Sequence, residues 1–293
     1  MGLGVEGKGL GTPSMVEAGE IQGRIQLIRG LSNELAAFFY TLPDDVWRNP
    51  EQFGSPCEDW KVADVVTHLI QVGDMFFQSI TRALDGDTTP PMAYSVPTPE
   101  ESLAQLVELR DAYFEDLFYE FNAGCRRLNS LLVSLGPEQY DLPAWHPAGA
   151  FPVSQLITRR AFELAVHGWD VRYSFDRSAR LNAGALPFLV DNLWSFLRSD
   201  SEATAELNTS VIYRFDLDGP EKVSYDVAVS RGDFDAGPSK DRKADVTFRC
   251  DADTYILFVL GRLPFNRSVR RGRLSFEGDE EPASRFTSWF RPV

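Results

Sequence analysis

The 293 residues contain only three histidines, His68, His146 and His167, so the residues around them are informative. In RRAFELAVHGWD, Glu163 and His167 stand four apart, a spacing that projects both side chains from one face of a helix. Arg160 and Asp170 extend the same stripe. Ile157, Phe162, Leu164, Val166 and Trp169 make the rest of the segment apolar nearly all round, as in a helix buried on most sides. A carboxylate and an imidazole in such a helix need partners. A divalent metal ion satisfies both, and so does an ordinary i,i+4 hydrogen bond between them. His68 offers a third ligand, one step off the apolar stripe of Val62, Val65, Val66, Leu69, Val72 and Phe76. Taken alone it reads as a core or boundary histidine. Two histidines and a glutamate on facing helices, with one coordination position open, are the donor set of catalytic zinc sites.

Asp170 lies one turn beyond His167, where a carboxylate can accept from the imidazole and orient it; a contact with another N–H and a surface charge are the alternatives. His146 sits in the Pro/Gly-flanked loop PAWHPAGAF and reads as solvent-facing, with a substrate or metal contact as the other reading. Arg262, Arg267, Arg270, Arg271 and Arg273 cluster near the C-terminus. Arg160 and Arg270 are the candidates for holding a carboxylate substrate or a thiol cofactor. A solvated face pairing with the acids of the chain is the alternative for the cluster. No residue stands out as general acid, base or nucleophile.

The elements that must position these groups change character along the chain. Residues 20–200 carry helical punctuation. Amphipathic helices are expected over 21–40 and 61–83, the second capped by Asp59 rather than Lys61. A long helix is expected over 99–135, opened by Thr98-Pro99-Glu100-Glu101, and further helices over 152–174 and 183–198. Loops rich in Pro, Asp and Gly separate them. Beyond residue 206 the pattern becomes alternating. SVIYRFDLDG and KVSYDVAVS, divided by Gly-Pro, read as an antiparallel pair. ADVTFRC and RRGRLSFEGD read as further strands, DADTYILFVLG as a capped short helix, and EEPASRFTSWF as a closing helix. The fold class is therefore an α bundle over 20–200 followed by a small α+β domain over 207–293 of four strands with interspersed helices.

Composition narrows the function. The formal net charge of −14 is a poor match for nucleic acid. The longest apolar runs are too short to span a bilayer, and the first residues, MGLGVEGKGLGTPS, lack a signal-peptide core and the myristoylation pattern; residues 1–19 read as a disordered tail. Cys57, Cys125 and Cys250 are odd in number and form no CxxC, which suits reduced, structural thiols in a cytoplasmic protein.

CEDWKVADVVTHL and RRAFELAVHGWD resemble the two signature segments of the DinB/YfiT-like metalloenzymes, and more specifically of the mycothiol-dependent maleylpyruvate isomerase family. The first supplies Trp60 and His68, the second Glu163, His167 and Asp170. ADVTFRCDADTYILFVLGRL, RGRLSFEGD and SWF resemble a sterol-carrier-protein-like domain, which members of the family often append. The resemblance implies a DinB-like four-helix bundle that binds Zn²⁺ or another divalent ion through His68, Glu163 and His167. It also implies mycothiol, or another low-molecular-weight thiol, as cofactor and an electrophilic small molecule as substrate, with isomerisation or S-transfer as the reaction. Two other readings remain: a non-catalytic small-molecule or lipid-binding protein that uses its C-terminal domain, and a non-enzymatic regulatory protein of the DinB type, which the acidity opposes.

Overall fold

The computed structural model describes residues 15–57, 59–91, 98–200, 210–219, 223–230, 233–240 and 242–289. Residues 1–14 of the expected tail, 92–97 of a proline-rich loop, and 201–209, where the domain boundary is expected, lie outside them. Two compact units divide between Ala179 and Arg180.

In the first unit, α1 (Met15–Phe39) begins earlier than the expected residue 21 and buries Ile21, Ile25, Ile28, Leu31, Leu35 and Phe39. That spacing of three and four makes one continuous apolar stripe. The short α2 (Asp45–Arg48) precedes α3 (Val62–Leu84), α4 (Pro99–Tyr113), α5 (Leu117–Ser134) and α6 (Val153–Phe175). Helix α3 packs on α5 and α6, and α1 packs on the same two, so α1, α6, α3 and α5 close a four-helix bundle.

Two local expectations are corrected. Asp59 does not cap α3. It takes a left-handed turn at φ 66, and the N-cap is Lys61, whose backbone N–H donates to Asp64 Oδ2 at 2.7 Å. The helix expected over 99–135 is two helices, broken at Phe114–Asp116 with Phe114 at φ 41. Glycine and proline are absent from the break, so the tertiary contacts on either side account for it. Before it, buried Arg110 on α4 donates to buried Asp64 on α3 at 3.0 Å; after it, α5 turns Leu117, Phe121, Cys125, Leu128 and Leu132 into the bundle. The two-residue strands β1 (Pro143–Ala144) and β2 (Phe151–Pro152) pair antiparallel and frame the His146 loop.

In the second unit, α7 (Leu186–Asp200) packs on α8 (Ala252–Val259), and Trp194 Nε1 donates to Tyr255 Oη at 2.6 Å. The helix read with the bundle from sequence thus falls in the C-terminal compact unit. The sheet runs β5-β4-β3-β6-β7, made of β3 (Val211–Asp218), β4 (Val223–Ser230), β5 (Asp233–Pro238), β6 (Val246–Asp251) and β7 (Leu274–Gly278). It has five strands where four were expected. The additional one, DFDAGP, alternates only over its first four residues and ends in Gly237 and Pro238, which an edge strand tolerates. Strands β3 and β4 are antiparallel as expected, and β3 runs parallel to β6. Helices α9 (Phe265–Arg270) and α10 (Glu280–Trp289) complete the unit. Its core is aromatic: ring centroids lie 5.0 Å apart for Phe215–Phe248, 5.3 Å for Phe248–Phe258 and 5.4 Å for Phe258–Phe286. No helix among the described residues is long and apolar enough to cross a membrane.

Candidate metal centre

On α3 every residue from Val62 to Ile70 is buried except His68, and on α6 the run from Arg159 to Asp170 is buried except Glu163 and His167. The three polar side chains therefore mark the line along which this part of the bundle opens to solvent. Their side chains are 22%, 15% and 12% exposed.

Both imidazoles converge on one oxygen. His68 Nε2 lies 3.1 Å and His167 Nε2 3.2 Å from Glu163 Oε2. On its other side, His167 Nδ1 is 2.9 Å from Oδ2 of fully buried Asp170. That contact needs the proton on Nδ1, which turns the Nε2 lone pair of a neutral ring toward a carboxylate. Two acceptors at that distance repel unless a cation lies between them or the ring is protonated. Burial opposes charge on His167, yet the hydrogen bonds from Asp170, Cys57 and Glu163 hold its pKa well above the ordinary value. Burial likewise works against the Glu163 carboxylate, and its bonds to His167 and His68 outweigh this and hold it well below the usual range. His68 is lowered by burial, with Glu163 opposing. Donors spaced about 3.4 Å apart are what a tetrahedral ion with bonds of about 2.1 Å requires, so the set fits a divalent cation on its own geometry. The three donor atoms lie within 4.8 Å of one another.

A turn places the surrounding groups. Ser55 N–H donates to Trp60 O at 3.0 Å, and Val62 N–H to Phe53 O at 2.8 Å. This folds the loop back so that the Trp60 ring stacks on His167 at 6.0 Å and tilts against His68 at 5.0 Å. Cys57, read as merely structural from sequence, donates from Sγ to Asp170 Oδ2 at 3.1 Å, so the oxygen that orients His167 is shared with a thiol. Nothing in the spacing announced that contact, which spans more than a hundred positions.

Arg160 lies inside the bundle, 2% exposed. Its Nη1 donates to Leu69 O at 2.8 Å and Nη2 to Cys125 Sγ at 3.6 Å, and its head lies on the bare backbone of Gly73. It bridges helices where the sequence reading made it a substrate contact. Arg270 ends α9 in the second unit and is exposed. Of its cluster, Arg273 is tied to buried Asp253 at 2.7 Å. His146, expected to face solvent, is half-buried between aromatic rings, 5.0 Å from Phe151 and 6.4 Å from Phe76.

A helical bundle with a two-histidine, one-glutamate cluster, followed by a sheet domain with helices on its core, defines the class. Residues 28–172 match the mycothiol maleylpyruvate isomerase N-terminal domain, and residues 195–291 match the SCP-2 sterol transfer family. The N-terminal part of the chain thus matches the first family model and the C-terminal part the second. A crystal structure of the mycothiol-dependent maleylpyruvate isomerase superposes with a TM-score of 0.60 at 13% identity, over 83% of this chain and 90% of that one. A mutant of that enzyme superposes with the same values. Sterol carrier protein 2 from Yarrowia lipolytica is 20% identical over 27% of this chain and 64% of its own, with a TM-score of 0.24. No curated protein matches the sequence.

Proposed function

We propose that this protein is a metal-dependent, thiol-using enzyme acting on an electrophilic small molecule, with His68, Glu163 and His167 as ligands of Zn²⁺ or a similar divalent ion. The observation that carries the reading is the convergence of two imidazole nitrogens on one carboxylate oxygen, with Asp170 fixing the ring of His167 from behind. When bound, the ion supplies Lewis acidity that keeps a coordinated thiol in its nucleophilic, deprotonated form.

The chain's own residues do the rest. Asp170 holds the Nδ1 proton of His167 and so presents Nε2 as a ligand. Trp60 packs against both imidazoles and shields them from water on one side. The three ligands are partly exposed, so the centre is not sealed from solvent. Addition of a thiol to one carbon of a cis alkene turns the double bond into a single bond. Rotation and expulsion of the thiol then give the trans isomer, an isomerisation that consumes no thiol. If the thiol stays attached, the outcome is S-transfer. Mycothiol is the cofactor that the match of residues 28–172 favours.

A ligand-carrier reading of the C-terminal domain is less well supported, because Phe215, Phe248, Phe258 and Phe286 fill the space beside the sheet.

Elemental analysis of chelator-free wild type beside His167→Ala tests the proposal. About one equivalent of metal in the wild type and none in the variant is expected, together with thiol-dependent isomerisation of maleylpyruvate by the wild type alone. Wild type that takes up no metal even after zinc is added back would sink it.

A further inference from the structure

The His167 ring has donors on both of its sides. Its Nε2 faces Glu163, and its Nδ1 faces Asp170 and Cys57. The second side makes a triangle of its own. Cys57 Sγ lies 3.1 Å from Asp170 Oδ2 and 3.8 Å from His167 Nδ1, and Oδ2 lies 2.9 Å from Nδ1. Among the described residues, this is the one group of three such donors that contains a cysteine. A tetrahedral ion with bonds of about 2.3 Å to sulfur and about 2.1 Å to nitrogen and oxygen sets its donors about 3.4–3.6 Å apart. Each edge of the triangle is within about 0.5 Å of that range.

Two elements build the set. Asp170 and His167 are three apart on α6, so one helical turn carries both. Cys57 is brought in by the 53–61 turn: its N–H donates to Ser55 Oγ at 3.1 Å, and that hydroxyl donates to Trp60 O at 3.0 Å.

Charge distinguishes the two sides of the ring. Cys57 is 8% and Asp170 0% exposed. A thiolate and a carboxylate together neutralise a divalent ion, so the buried set holds one with no net charge, whereas an unbalanced charge is costly there. Starting from the protonated ring, the ion takes the places of the Sγ and Nδ1 protons, which go to solvent. Nε2 keeps its proton and its bond to Glu163. On the outer side, the single carboxylate of Glu163 leaves a bound divalent ion with one positive charge for an incoming thiolate.

We propose that Cys57, Asp170 and His167 Nδ1 form a second cation site, selective for thiophilic divalent ions, that competes with the first for the shared ring. The sulfur sets the selectivity, since soft ions favour thiolate over oxygen donors. A neutral imidazole has one lone pair. A ring bound through Nδ1 therefore carries its proton on Nε2 and offers nothing to an ion on that side. The second site stands without the metal-centre reading; only the competition rests on it.

Titration of the full-length protein with cadmium chloride, read by the ultraviolet thiolate-to-cadmium absorption, tests this. Wild type is expected to bind cadmium with the band. His68→Ala, which breaks only the outer set, should keep it. Cys57→Ser should lose the band although Cys125 and Cys250 remain. Asp170→Asn should weaken cadmium binding by at least about 10-fold, the lower bound for a group that merely supports a ligand, and it decides the matter if the serine variant fails to fold. In zinc-loaded wild type, cadmium should displace zinc and the total should stay at about one ion per chain. No band in wild type, or an undiminished one in Cys57→Ser, overturns the proposal. Loss of the band in His68→Ala does the same, because the sulfur then belongs to the outer set. Two ions held together at neutral pH overturn the competition. A wild type that binds cadmium with the band but takes up no zinc upholds this site and defeats the metal-centre reading instead.

Discussion

At the scale of single residues, the shared oxygens of Glu163 and Asp170 organise the centre. Asp170 does not touch the ion proposed at Glu163, but it determines which nitrogen of His167 points inward. Asp170→Asn should lower zinc affinity about 10- to 100-fold, as loss of a carboxylate behind a ligand histidine does elsewhere; competition with a chromophoric chelator measures it, and unchanged affinity would mean that His167 is oriented by something else. The charge state of His167 gives a second prediction. Without metal its pKa is held well above the ordinary value, so the ring carries an extra proton at neutral pH. Zinc needs the neutral ring. Binding near pH 7 should therefore release about one proton from His167, visible as a dependence of the calorimetric enthalpy on the ionisation heat of the buffer. Affinity should fall as pH is lowered. Enthalpies independent of buffer would contradict the protonated resting state.

At the scale of elements, the bundle brings α3 and α6 together around a buried arginine. Arg160 reaches Leu69 O across the bare backbone of Gly73: a Cβ there would stand 3.1 Å from Nη2 and crowd the guanidinium. Gly73→Val should cost about 1–3 kcal/mol of stability through overpacking. Gly30→Ala on α1, where nothing lies within 4 Å, should instead gain up to about 1 kcal/mol from helix propensity. Urea melts of the two variants beside wild type give the comparison, and equal midpoints would show that Arg160 moves aside at no cost. A helix turns 100° per residue, so it is packing that decides that Arg160, and not the adjacent Arg159, lies against Gly73 and Leu69 O.

At the scale of the whole molecule, each compact unit has its own core. The first is the aliphatic and aromatic interior of the bundle; the second is the ring cluster centred on Phe248. Phe248→Ala should cost the second unit about 3–5 kcal/mol and leave zinc stoichiometry unchanged, since all three proposed ligands lie in the first. Thermal unfolding followed with metal analysis separates these effects, and loss of zinc together with loss of the second unit's fold would show that the metal centre depends on it.

Sequence alone determined the parts of this protein that depend on local periodicity and residue chemistry. The helices bearing His68 and the Glu163–His167 pair, the alternating strands, and the small number of ionisable groups on apolar stripes all follow from spacing, because spacing fixes which side chains share a face. Tertiary structure decided the rest, because it rests on contacts between residues distant in the chain. These are the break at Phe114, which carries no local signal, the edge strand DFDAGP, whose pairing is made by backbone, and the return of the 53–61 loop that sets Cys57 and Trp60 against His167. The burial of Arg160 against Gly73 belongs with them, as does the burial of His146 between Phe76 and Phe151. Each requires knowing which face of one element meets which face of another, and the one-dimensional pattern does not contain that geometry.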